Sequence, residues 1–192
     1  MINRIILNET SYFGPGSIRC IVDEVKKRGF KKALVVTDKD LIRFNVATKV
    51  LAILDGAGLP YSIFDDVVPN PTIEVVQQGV ETFKQSGADY LIAIGGGSPQ
   101  DTCKAIGIIQ RNPEFADVRS LEGLSPTRQP SVPIFAVPPG RIRFCALIAF
   151  TTSIGASPFA CSIASCCALA SPVHRESCRS HAAALRANLD GL

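Results

Sequence analysis

Gly95-Gly96-Gly97-Ser98 follows an apolar run, Tyr90-Leu91-Ile92-Ala93-Ile94, and precedes a helical pattern. At such a strand-to-helix turn the missing side chains let backbone N–H groups approach an anion, and the helix dipole favours negative charge. The chemistry on offer is phosphate binding; a tight turn with no ligand is the plainer reading. Asp38 closes an earlier apolar run, Ala33-Leu34-Val35-Val36-Thr37. A carboxylate there can accept hydrogen bonds from a ribose diol and repels a ribose 2′-phosphate, which favours NAD over NADP; it can equally cap the helix that follows. No G-x-G-x-x-G follows Val36-Thr37, and the acid precedes the glycines, so this is not the spacing of a Rossmann fingerprint.

Elements able to hold these groups are written around them. Ile18, Ile21, Val22 and Val25 share one helical face, with Ser17 as an N-cap and Lys26, Lys27, Arg28 and Gly29 closing the segment. Leu41, Val46, Val50, Leu51 and Leu54 predict one helix over about 41–57, and Tyr61-Ser62-Ile63-Phe64 the next strand. Pro69-Asn70-Pro71-Thr72 breaks the chain and caps a helix whose Ile73, Val76, Val80 and Phe83 mark one face. A further helix runs to about Ile109, and Val132 to Val137 forms the fourth strand, with Pro133 at its start. Strands and helices alternate, predicting an α/β domain: a doubly wound, mostly parallel sheet flanked by helices. Ligands of such sheets bind beyond the carboxyl ends of the strands, where Asp38, Asn70 and the glycine run fall.

Val36-Thr37-Asp38-Lys39, Val67 to Thr72 and the stretch Gly87 to Gly107, with its G-G-G-S-x-x-D-x-x-K element, resemble the N-terminal domain of the iron-containing (group III) alcohol dehydrogenases. The resemblance runs to about Pro138. It implies that Asp38 holds the adenosine ribose of NAD and that Asn70 lines the cofactor cleft. It further implies that Gly96, Gly97 and Ser98 cradle the pyrophosphate, with Pro99 and Gln100 in the same contact set, and that Asp101 braces the turn. Lys104 reaches a phosphate or stands on a solvated helix face. The implied activity is hydride transfer between NAD(H) and a small alcohol or aldehyde at an Fe²⁺ centre. Lactaldehyde and 1,2-propanediol are the substrate pair, with glycerol or butanol as alternatives and a non-catalytic NAD-binding module as the rival reading. The family also implies a homodimer, with the strand around Ile5-Ile6-Leu7 near its interface.

The 192 residues divide at that boundary. Residues 1–138 hold 15 Lys+Arg and 15 Asp+Glu, whereas 139–192 hold five Arg, no Lys, Glu176 and Asp190, so the formal charge of +3 belongs to the tail. The mildly basic balance is therefore no argument for nucleic acid. After Pro138 the chain reads Pro139-Gly140-Arg141-Ile142-Arg143 where the family has a Thr-Thr-Ala-Gly-Thr loop, and the family's Asp and His iron ligands have no counterpart. Residues 139–192 are accordingly expected to be a poorly packed or disordered non-family tail, translated out of frame from a GC-rich gene, and the chain a catalytically inactive fragment with no metal ligands. The uncharged stretch 144–173 has the length of a membrane span, but its serines and threonines and Gly155-Ala156-Ser157-Pro158 argue against one. Cys166, Cys167, His174, Cys178 and His181 match no standard zinc spacing. With only Cys20 and Cys103 before residue 139 and no signal peptide, the body is expected to be cytoplasmic.

Overall fold

The computed structural model describes residues 10–12, 14, 16–121, 127–138 and, for the backbone alone, 147–150. Its elements are β1 (Thr10–Tyr12), a 3-10 turn (Ser17–Arg19), α1 (Cys20–Arg28), β2 (Ala33–Val36), α2 (Lys39–Arg43), α3 (Val46–Gly56) and β3 (Tyr61–Phe64). There follow α4 (Ile73–Ser86), β4 (Tyr90–Ile94), α5 (Gly97–Arg111), two 3-10 turns (Pro113–Phe115 and Val118–Leu121), β5 (Ile134–Val137) and β6 (Leu147–Phe150).

The six strands form one sheet in the order β1-β6-β5-β4-β2-β3. β2 pairs in parallel with β3 and β4, and β4 with β5, while β6 is antiparallel to both β5 and β1. The doubly wound, mostly parallel fold is therefore present, with an antiparallel margin. β6 falls within the stretch read as a separate tail, and its backbone joins the sheet.

Every residue of β2, β4 and β5 is buried, because helices cover both faces. Side chains alternate between two cores. Leu34, Val36, Leu91, Ala93 and Ile134 pack with Val76, Val80 and Phe83 of α4 and Cys103 and Ile106 of α5. Ala33, Val35, Tyr90, Ile92, Phe135 and Val137 pack with Ile21 and Val25 of α1 and Ala47, Val50 and Leu54 of α3. Each buried Val, Leu or Ile side chain among them contributes about 1.5–3 kcal/mol. Tyr90 stacks on Phe30 at 5.3 Å and meets Phe135 edge-on at 5.7 Å; burial pushes its phenol up to about 12.

Three local expectations are corrected. The single helix over 41–57 is two, broken where Asn45 adopts φ +57°, a left-handed conformation that Asn tolerates better than most residues. Ser17 opens a 3-10 turn and does not cap α1, whose start carries no side-chain cap. Thr72 stands at the N-cap position of α4 in extended conformation, but its side chain does not bond the helix backbone. Gly29 and Gly87 end α1 and α4 in the left-handed conformation, as their placement requires.

The expected strand around Ile5-Ile6-Leu7, most of 144–173, and the Cys and His residues from Cys166 to His181 lie outside the described residues. No described helix is long and apolar enough to cross a membrane.

Candidate cofactor site

The parallel strands run β3-β2-β4-β5, so the chain leaves β2 in one direction to make β3 and returns on the other side of β2 to make β4. A crevice opens beyond the carboxyl ends of strands at such a reversal. Asp38 lies just beyond the end of β2 and Gly95 just beyond β4, so the two features that chemistry singled out are brought to the rims of one crevice.

Gly95 is buried with φ +145°, and a Cβ there would stand 2.5 Å from Pro99 Cγ and 3.2 Å from Leu41 Cδ1. Only glycine serves at this bend, since a side chain would be strained and would collide. Gln100, itself buried, donates from Nε2 to the Gly95 carbonyl at 3.2 Å. Pro99 and Gln100 thus lie under the turn and act on its shape. Gly96 and Gly97 are exposed, with nothing within 4 Å of a Cβ at Gly96 and only Asp101 Oδ2, at 3.9 Å, near one at Gly97. No side chain caps α5, and its first turn carries no acid. The amides of Gly96, Gly97 and Ser98 have no partner within the helix, and Pro99 has no N–H at all. A pyrophosphate fits this opening: it would satisfy those donors at the positive end of a 15-residue helix.

Asp38 caps α2 through Oδ1, which accepts the Leu41 N–H at 2.8 Å. The capping role weighed from sequence is therefore present, and it also steadies Leu41 against the glycine turn. The loop after β3 is drawn alongside by an isolated antiparallel bridge between Asp38 and Asp66 and by a 2.6 Å ion pair from Lys39 Nζ to Asp66 Oδ1. The Asp66 carboxylate, with Asp65 behind it, holds the Lys39 ammonium above its ordinary range. Asn70, near the end of this loop, is exposed with φ +54°.

Asp101 pairs with Lys104 Nζ at 3.3 Å, and the side chain bonded to the turn's backbone is Gln100. Lys104 is 8% exposed, which removes the solvated-face alternative. Sequence reasoning missed the Lys39–Asp66 pair; the available signal was Asp65-Asp66 immediately after a strand, matching Asp38-Lys39 after its neighbour. Burial pushes the Cys103 thiol up, which disfavours the thiolate.

The donor set for iron does not assemble here: among the described residues no three His, Cys, Asp or Glu side chains are grouped to hold a metal. A surface cavity lined by Arg111, Asn112, Phe115 and Arg128 lies at the other end of α5 from the glycine turn.

Fold and site together define a doubly wound α/β domain with an open glycine turn after its third parallel strand. The family model for iron-containing alcohol dehydrogenases matches residues 8–139, and the chain belongs to that family. It is 67% identical over 138 residues to the lactaldehyde reductase of Escherichia coli K12, an alignment covering 72% of this chain and 36% of that enzyme. Among solved structures it resembles an alcohol dehydrogenase from Oenococcus oeni, with TM-score 0.66 and 33% identity over 71% of this chain and 36% of that one. It also resembles a sulfoacetaldehyde reductase from Bifidobacterium kashiwanohense in complex with NAD+, with TM-score 0.55 and 27% identity over 65% and 32%. The chain spans about a third of the length of the curated relatives it matches.

Proposed function

We propose that residues 1–138 form the NAD(H)-binding unit of an oxidoreductase of the lactaldehyde reductase type, working in a reducing, cytoplasmic compartment. The observation that carries it is the uncapped, glycine-lined start of α5 facing Asp38 across the switch point of the sheet. Asp38 offers a carboxylate to the adenosine ribose, the amides of Gly96, Gly97 and Ser98 take the pyrophosphate, and Asn70 edges the cleft. Gln100 and Pro99 keep the turn in its binding shape before the ligand arrives, which lowers the ordering cost of binding. NAD, when bound, supplies the hydride acceptor. The pair lactaldehyde and 1,2-propanediol is inferred from the 67% identity; no residue of this chain is assigned to the chemical step.

A stand-alone NAD-binding module is the second reading, supported by Asp38 and the glycine turn lying on adjacent strands of one sheet. Both are tested on the full chain by titrating NADH and following its fluorescence. The same protein is then supplied with Fe²⁺, NAD+ and 1,2-propanediol while reduced nicotinamide is monitored. Binding with turnover supports the oxidoreductase, binding without turnover the module, and absence of binding overturns both.

A further inference from the structure

We infer that Asp66, through its ion pair with Lys39, is a second determinant of selection against a 2′-phosphorylated dinucleotide, acting beside Asp38. This rests on the cofactor reading above. The bridge between Asp38 and Asp66 sets the two backbones side by side, so both carboxylates border the place where the ribose hydroxyls would lie. Lys39 is the obvious cation for a 2′-phosphate, being the residue after Asp38 and 71% exposed at its side chain. Its Nζ is instead engaged by Asp66 Oδ1 at 2.6 Å, and Asp65 adds negative charge nearby. A 2′-phosphate would meet the carboxylates of Asp38 and Asp66, with the Lys39 ammonium already paired to Asp66. Removing the Asp38 charge alone therefore leaves a rim that still disfavours the phosphate; removing that of Asp66 as well releases Lys39 toward it.

The experiment measures Kd for NADH and NADPH on the full chain and on Asp38→Asn, Asp66→Asn and the double variant. Asparagine at 38 keeps an oxygen for the Leu41 N–H, so α2 stays capped. Asp38→Asn is expected to tighten NADPH by about tenfold, and the double variant by roughly a further fivefold, a gain that shrinks in high salt as screening demands. Asp66→Asn alone should tighten NADPH less than Asp38→Asn does, as an exposed pair implies. Adding Lys39→Gln to the double variant should abolish the further gain while circular dichroism shows the fold retained. If the double variant binds NADPH no better than Asp38→Asn, or if Lys39→Gln leaves the gain intact, the inference fails while NADH binding still upholds the cofactor reading. A chain that binds neither dinucleotide overturns both.

Discussion

Gly95 carries more of the site than its size suggests, because three demands meet at one position. Its φ of +145° excludes side chains, its missing Cβ leaves room for Pro99 and Leu41, and its carbonyl receives Gln100. Gly95→Ala should lower stability by ~3 kcal/mol through strain and overpacking. It should also weaken NADH binding at least tenfold, since the amides that follow would be re-aimed. Urea denaturation and NADH titration measure the two effects; a variant that keeps full affinity would show that the turn's shape is not what binds. The glycine run was legible because β4 is uniformly apolar and stops at it. The burial of Gln100 and Lys104 was not, since their polarity gives no sign of it, whereas this helix is buried from Thr102 to Ile109. Burial from several directions leaves no periodic mark in the sequence.

At the scale of elements, packing decides what periodicity cannot. The strands β2, β3 and β4 and the ends of α1 and α4 were readable from β-branched runs and closing glycines. The break between α2 and α3 was not, because Asn45 interrupts no apolar spacing. One fastening between elements has a pH dependence. Glu24 of α1 is 5% exposed; Oε1 accepts from the Tyr12 hydroxyl of β1 at 2.7 Å and Oε2 from Arg28 Nε at 3.0 Å. The Tyr12 hydroxyl, then Arg28, hold its carboxyl below the ordinary value of 4.5. A folded-state value below the unfolded one means the contribution is present above that ordinary value and is lost as the pH falls through the folded one. Glu24→Gln should cost ~2 kcal/mol at neutral pH, the worth of two hydrogen bonds to a charged acceptor less what the amide retains. It should also flatten the fall in stability below the ordinary value. Melting temperatures of both proteins across the acid range check this, and parallel curves would mean Glu24 is not the titrating fastener.

For the whole molecule, sheet order matters most and was least readable, since nothing in a strand's composition says which neighbour it takes. The alternation of strands and helices announced a parallel sheet, yet only the observed order puts Asp38 and Gly95 at one crevice. The same order separates cofactor site from margin. β5 stands between β4 and β6, and β1 lies beyond β6, tied to the rest by the β6 ladder and by Tyr12 on Glu24. The middle of β6 is Ile148, opposite Ser11 on one side and Ala136 on the other. Proline there removes the backbone donor and breaks the ladder. Hydrogen exchange of the Ile148→Pro chain should therefore show the amides of Thr10–Tyr12 losing protection while those of β2 and β4 keep theirs, with NADH affinity unchanged. Retained protection at β1 would mean that Tyr12 and Glu24 hold the strand without β6. Loss of NADH binding would mean that the margin and the crevice are one cooperative unit, contrary to the independence the strand order implies.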